Sequence, residues 1–137
     1  MNNPTLKQLT QGLSREETFT VEDQHTAYHI GSGDERVLGT PWMISFMERV
    51  SNRLVAEYLP EGFISVGVHV DVKHLAATPV NARVKIRTEI LDTEAGKNRV
   101  NLSIEAWDDQ EKIGEGTHWR AVVEKDRFMK RVLKKAG

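Results

Sequence analysis

The spacing of apolar residues predicts one long amphipathic helix in the first half of the chain. Between Thr40 and Pro60, apolar side chains recur every three or four residues, which places them on one helical face. That face consists of Met43, Met47, Val50, Leu54 and Tyr58. Threonine is a favourable helix N-cap, and Pro41 directly after it suits the first helical turn. We therefore predict a helix of about five turns with Thr40 as its N-cap, ending before Pro60.

Beyond this helix, apolar and polar residues alternate with the two-residue period of β-strands. The alternation predicts strands over 63–73 and 80–91 and a third strand along the apolar row 100–106. A turn then leads into a fourth strand that ends at Val123. The connections between these strands are short, which indicates an antiparallel meander.

The two ends of the chain complete the predicted architecture. Residues 16–21 and 27–30 alternate weakly and predict an N-terminal strand or hairpin, while 125–136 has the apolar face and basic last turn of a helix. A long helix and a curling antiparallel sheet, each apolar on one face, bury those faces best when the sheet wraps around the helix. The sequence thus predicts an α+β hotdog fold, with residues 1–137 forming a single domain.

Composition narrows the classes of partner. Acidic and basic residues are interleaved and the formal net charge is −1, so the chain lacks a basic footprint for nucleic acid. The absence of cysteine excludes disulfides, a thiolate nucleophile and cysteine-ligated zinc, and it fits a reducing compartment. The sequence contains neither a secretory signal pattern nor an apolar run of membrane-spanning length. We expect a soluble cytoplasmic protein that binds neither nucleic acid nor membrane.

A histidine at the end of an apolar row is the first candidate for chemistry. Val66, Val68, Val70 and Val72 share one face of the predicted strand, and His74 is the next residue of that row. A buried imidazole needs a hydrogen-bond partner or a ligand. A core histidine bonded to a backbone carbonyl and a functional histidine both meet this need, so the pattern leaves both alternatives open.

Two helix residues are further candidates. Thr40 lies where the positive end of the helix dipole and the unpaired backbone N–H groups of residues 42–44 converge, a suitable place for a developing oxyanion. The alternative role for Thr40 is the helix cap alone. Glu48 lies at the border of the apolar face, where it is either a functional carboxylate or a surface group paired locally with Asn52. The two residues are separated by about 12 Å of helix, so a third group would have to connect them.

Other candidate sites have weaker support. His69 and His74 lie an odd number of residues apart on the strand and should point to opposite faces, which disfavours a zinc site, and we predict no metal. The basic C-terminal helix either meets the phosphates of coenzyme A or is only a solvated face.

The spacing of these residues resembles a known family. Thr40, Glu48, Gly67, His74 and the segment GEGTHWRAVV at 114–123 are similar to the hotdog thioesterases related to fluoroacetyl-CoA thioesterase. The resemblance implies that Thr40, Glu48 and His74 are catalytic. It also implies that the backbone N–H of Gly67 lies near the thioester carbonyl and that no cofactor is needed.

Substrate contacts and assembly follow from the same reasoning. We expect Trp42 and Met43 to contact the substrate at the helix N-terminus, and His118 either lines the pocket or has a structural role. Phe46 and Trp107, like Trp42, fall outside the predicted core rows, which predicts a homodimer or higher homo-oligomer. Hotdog enzymes of the resembling kind build their sites at a dimer interface, so either subunit can supply each catalytic group.

The resemblance implies an acyl-CoA thioesterase that acts on a short or medium acyl chain. The alternative is a hotdog protein that binds an acyl thioester or another small ligand without hydrolysing it, because a fold can host either function. The complete set of Thr40, Glu48, Gly67 and His74 favours catalysis, since a binding protein would not require a carboxylate and an imidazole. No aromatic residue in the approach segment 31–39 is available as a lid.

Overall fold

The computed structural model describes residues 4–137, and side chains from residue 6 onward; residues 1–3 of the predicted domain lie outside this range. The strands are β1 (Ser14–Thr20), β2 (Phe63–His74), β3 (Arg83–Glu94), β4 (Arg99–Trp107) and β5 (Lys112–Glu124). The α-helices are α1 (Ala27–Ile30), α2 (Thr40–Ala56) and α3 (Lys125–Lys134). Short 3-10 turns cover Pro4–Gln8, Asp23–His25 and Ala95–Lys97.

The five strands form one antiparallel sheet in the order β1-β3-β4-β5-β2. Helix α2 packs against one face of this sheet and contacts β1, β2, β3 and β4. This arrangement confirms the predicted hotdog fold. Among the strands of residues 4–137, β5 alone pairs with β2, so β2 is an edge strand.

The core lies between α2 and the sheet. The helix buries the predicted residues Met43, Met47, Val50 and Leu54. Phe46 is also buried, at 1% exposure, so its predicted place outside the core is wrong. The physical reason is β1, which covers that flank of the helix: the rings of Phe46 and Phe19 stack with centroids 4.4 Å apart.

Strand β2 contains a bulge that the sequence pattern does not predict. Gly67 pairs with Arg120 and His69 pairs with Trp119, which leaves Val68 as an extra residue between them. The extra residue reverses which side chains face the helix, so the predicted inward position of Val68 is wrong, and this side chain is 41% exposed.

The inner face of β2 therefore changes phase at the bulge. Ser65 is buried before the bulge, whereas Val70 and Val72 pack against the core after it. His74 continues this second row and is half-buried. The inward orientation predicted for the histidine is thus observed, although only the second half of the valine row leads to it.

The ends of the chain agree with the predictions except at residues 27–30. These residues form the short helix α1 instead of a strand, because the Thr26 side chain accepts a hydrogen bond from the His29 N–H and Gly31 ends the helix with φ 78°. The N-terminal strand and the C-terminal helix occur close to their predicted positions. No helix within residues 4–137 is long and apolar enough to cross a membrane.

Candidate active site

Thr40 and His74 form the central contact of the candidate site. Thr40 Oγ1 lies 2.7 Å from His74 Nδ1 and joins the start of α2 to the end of β2. Thr40 is not the helix cap that the sequence predicts: Gly39 occupies the N-cap position and Thr40 is the first helical residue. The Thr40 hydroxyl is consequently directed to the imidazole and not to the helix backbone.

The first N–H groups of α2 already have partners. The N–H groups of Trp42 and Met43 both donate to the Gly39 carbonyl, each at 3.0 Å. The expectation that these two groups are unpaired is therefore wrong. The reason is the tight first turn, in which the Gly39 carbonyl accepts both bonds.

The environment of His74 favours a neutral imidazole. Burial lowers the pKa of His74 below its usual value of 6.5, and the Ala76 backbone opposes this shift only in part. Its Nε2 atom is buried and has no hydrogen-bond partner among residues 4–137. A neutral histidine with one bonded nitrogen and one uncommitted nitrogen has the form required of a general base.

Glu48 lies in a second group of side chains, around Gly67. A Cβ atom on Gly67 would be 2.7 Å from Glu48 Oε2, 3.2 Å from His118 Cε1 and 3.6 Å from Arg120 Nη1. The missing side chain of Gly67 therefore leaves the space that the Glu48 carboxylate uses. Within the described chain, Glu48 forms no hydrogen bond with Thr40 or His74.

Arg120 organises this second group from β5. The guanidinium, in a residue only 6% exposed, donates to the side chain of Ser65 at 2.8 Å and to its carbonyl at 3.0 Å. It also donates to Asn52 Oδ1 at 3.2 Å and to His118 Nε2 at 3.1 Å. Asn52 accepts this bond through its amide oxygen, whereas a pairing with the Glu48 carboxylate would use the Asn52 NH2 group as donor. Its positive charge also attracts the Glu48 carboxylate.

His118 has the position of a buried structural group. Its Nδ1–H donates to the carbonyl of His69, 2.8 Å away, and its Nε2 accepts from Arg120, so the ring is neutral. Burial lowers the pKa of His118, and the charge of Arg120 lowers it further, while the His69 carbonyl opposes both. The side chain has no exposed surface.

The remaining predicted substrate contacts, Met43 and Trp42, pack against other residues of the described chain. Met43 is fully buried and its sulfur occupies the space beside Gly114, where a Cβ would be 2.6 Å away. Trp42 packs against His25 with ring centroids 4.4 Å apart. Sequence reasoning assigned no role to Arg120, although its inward place in the alternation of β5 was a usable signal.

An apolar cleft of about 440 Å³ borders Thr40 and His74. Its other walls consist of the polar residue Ser32 and the apolar residues Ala27, Val37, Leu38, Gly39, Leu75, Ala76 and Ala77. A larger groove of about 650 Å³ lies between α3 and the outer face of β2 and β5, and it contains none of the predicted site residues. The cleft beside the Thr40–His74 pair is thus the better placed site for a substrate that reacts there.

Comparison with known proteins shows the family of the chain. Residues 21–126 match the family model described as fluoroacetyl-CoA-specific thioesterase. The chain belongs to this family. It is 35% identical over 99 residues to a fluoroacetyl-CoA thioesterase of Streptantibioticus cattleyicolor, an alignment that covers 72% of the chain and 70% of that enzyme. Membership of the fluoroacetyl-CoA-specific thioesterase family confirms the predicted thioester hydrolase class.

Solved structures support the same assignment. The structure of the fluoroacetyl-CoA thioesterase FlK matches with a TM-score of 0.85 at 30% identity, covering 92% of this chain and 96% of that chain. A hot-dog-like protein from Thermanaerovibrio acidaminovorans matches with a TM-score of 0.89 at 27% identity, covering 98% of both chains. One FlK variant was solved in complex with acetyl-CoA. The thioesterase family and the hotdog fold are thus found together in these relatives.

Proposed function

We propose that the chain hydrolyses the thioester bond of a short- or medium-chain acyl-CoA and releases the free acid and coenzyme A. The observation that carries this proposal is the 2.7 Å contact between Thr40 Oγ1 and His74 Nδ1 at the edge of an apolar cleft. A hydroxyl bonded to a neutral imidazole is an arrangement used for acyl transfer, either with the hydroxyl as nucleophile or with both groups orienting water.

Each step of the reaction has a group to perform it. His74, with Glu48 orienting it or activating the water, takes the proton of the attacking water or of the Thr40 hydroxyl while the new carbon–oxygen bond forms. The Gly67 N–H, as the family resemblance implies, stabilises the oxyanion. Collapse of the tetrahedral intermediate breaks the carbon–sulfur bond, and the imidazolium returns its proton to the departing thiolate. If Thr40 is the nucleophile, a second round with water releases the acid.

The proposed site is shared between two copies of the chain. Within one protomer, Glu48 and Gly67 lie away from the Thr40–His74 contact. The edge strand β2 leaves backbone groups unpaired, and a second β2 that pairs with it antiparallel would complete the ladder. A two-fold axis near the middle of the segment 67–74 would place the partner's Gly67, and with it the partner's Glu48, beside His74.

Composition and sheet topology support a proposal for the cellular compartment and the domain organisation of the enzyme. We propose that it acts in the cytoplasm as a single hotdog domain, on the basis of its cysteine-free composition and its one continuous sheet.

Replacement of Glu48 by glutamine tests the enzyme against the binding-protein alternative. Glu48→Gln keeps the shape of the side chain but removes its charge, so single-turnover hydrolysis should slow by about 100-fold or more. Equilibrium binding of the acyl-CoA should change little. Glu61→Gln, at an exposed position after α2, is the matched control and should hydrolyse at the wild-type rate.

Two outcomes would contradict the proposal. An unchanged rate in folded Glu48→Gln would remove this carboxylate from the mechanism. Binding without hydrolysis by the wild-type protein, across a series from acetyl-CoA to dodecanoyl-CoA, would favour the binding-protein function.

A further inference from the structure

Resting on the proposed thioesterase function, we infer that the cleft beside Thr40 and His74 holds the acyl chain and selects apolar chains of roughly six to ten carbons over acetyl. The inference depends on where the cleft lies, what its walls offer, how large it is and what surrounds its mouth.

The position of the cleft assigns it to the acyl side of the substrate. Thr40 and His74 both border it, so a thioester carbonyl at this pair has its acyl chain next to the cleft. The floor beyond the pair is formed by Leu75, Ala76 and Ala77, which directly follow His74 in the chain. The same histidine thus ends β2 and begins one wall of the pocket.

Three backbone N–H groups of the walls are already bonded within the protein. The Ala27 N–H donates to the Val37 carbonyl at 2.8 Å, and the Leu38 N–H donates to the Thr78 carbonyl at 2.8 Å. The Leu75 N–H donates to the Ile113 carbonyl at 2.7 Å. Beyond Thr40 and His74, Ser32 is the one polar side chain among the described lining residues, so a carboxylate on the acyl chain would lose its hydration with few groups to replace it, and the cleft favours unsubstituted hydrocarbon.

The size of the cleft exceeds the needs of an acetyl group. Its volume of about 440 Å³ falls in the range of roughly 300–1,000 Å³ that is typical of pockets for drug-sized ligands. Alanines at positions 27, 76 and 77 contribute only a methyl group each to the walls. An acetyl methyl leaves most of this apolar surface wet, whereas each added methylene removes more of it from water.

Exposed apolar side chains lie in the lining of the cleft and next to it. Leu75, which lines the cleft, is 49% exposed, and Ile30, which lies against the lining residue Gly39, is 37% exposed. Exposed apolar groups at the rim of a cleft are typical of a ligand site. They extend the apolar surface beyond the catalytic pair and suit the distal carbons of a longer chain.

The test is a chain-length profile of kcat/KM from acetyl-CoA to dodecanoyl-CoA. For the wild type, kcat/KM should rise several-fold per two carbons up to at least hexanoyl, and a terminal carboxylate on a chain of matched length should lower it about tenfold or more. Ala77→Phe fills the cleft from an exposed position, so the optimum should move to shorter chains and the ratio of kcat/KM for octanoyl-CoA to that for acetyl-CoA should fall about tenfold or more. Ala95→Phe, on the exposed turn between β3 and β4, is the matched control and should keep the wild-type profile.

The outcomes separate this inference from the proposed function. Hydrolysis by the wild type with an optimum at acetyl-CoA would overturn the inference and leave the thioesterase function intact. The same holds if folded Ala77→Phe loses activity equally at every chain length, because the cleft would then not be where the chain lies. Absence of hydrolysis at every chain length would contradict both the chain-length inference and the proposed thioesterase function.

Discussion

A shift of one residue at the start of α2 determines what Thr40 can do. Because Gly39 is the N-cap, the Thr40 hydroxyl is not used to cap the helix and contacts His74 instead. The sequence predicted both residues as candidates and predicted His74 to face inward, but it did not predict their direct contact. Threonine before proline is a strong cap signal, and only the bonds made by Gly39 reveal the shift.

The protonation of His74 has a measurable consequence for the pH dependence of turnover. The lowered pKa means that the imidazole is neutral above its usual value of 6.5 and becomes charged only at more acidic pH. We expect kcat/KM to be flat in this region and to fall by about tenfold per pH unit below a midpoint under 6.5. His69→Ala should retain this profile, because His69 is exposed on the outer side of β2.

His74→Ala is the companion variant and should lose most of the activity while remaining folded. If His74→Ala and His69→Ala both lose only a little turnover, and to the same extent, His74 has a structural role. A midpoint above 6.5 in the wild-type profile would show that the Glu48 carboxylate proposed to lie near His74 raises the pKa of the imidazole by more than burial lowers it.

The missing side chain of Gly67 should matter for turnover. A methyl group at this position would meet the end of the flexible Glu48 side chain, which can move away. Gly67→Ala should therefore fold normally and lose about tenfold or more in kcat, since the carboxylate shifts by the width of a methyl group. Gly96→Ala, where a Cβ has open space, is the control. Full activity in Gly67→Ala would show that the position of the carboxylate does not matter.

The pairing of β2 with β5 depends on a different glycine, Gly116. A Cβ on Gly116 would be 2.0 Å from the Asp71 carbonyl oxygen, and backbone cannot move aside as a side chain can. Gly116→Ala should lower the free energy of unfolding by about 1–3 kcal/mol or more, measured by urea denaturation. The same denaturation of Gly67→Ala is the comparison. Equal stability of the two variants would contradict the assignment of a structural role to Gly116 and a site role to Gly67.

The elements also show where sequence patterns stop being sufficient. Long regular alternation predicted β3 to β5, and helical spacing predicted α2, because burial on one face imposes those periods. In the sequence the valines alternate without interruption across Val68. In the structure the bulge at Val68 exchanges the inward and outward faces of the strand. Phe46 was assigned wrongly because a helical wheel does not show that β1 covers a second flank of α2.

Subunit mixing tests whether His74 and Glu48 of one proposed site come from two copies of the chain. His74→Ala and Glu48→Gln should each be inactive alone. If the two variants are coexpressed and associate at random, half of the proposed dimers contain one copy of each variant. Each mixed dimer then has one site with both groups intact, provided that the partner supplies Glu48. Recovered activity should then reach about a quarter of the wild type.

The same experiment has a clear opposite result. If His74 and Glu48 act within one protomer, every site in a mixed dimer lacks one group and no activity returns. Light scattering on the wild type provides the control for assembly, and a stable monomer at micromolar concentration would contradict the dimer itself.

The bulge in β2 also limits how the chain can aggregate. A regular edge strand of twelve residues would be an open template for further chains, and β2 has this length. The extra residue Val68 divides it into two shorter stretches with different phase, so a chain added from solution cannot pair along its whole length. The opposite edge, β1, carries Arg15, Glu16 and Glu17, whose charges oppose the same process. Both free edges of the sheet thus resist the growth of fibrils, while one short stretch of β2 remains regular enough for a single partner.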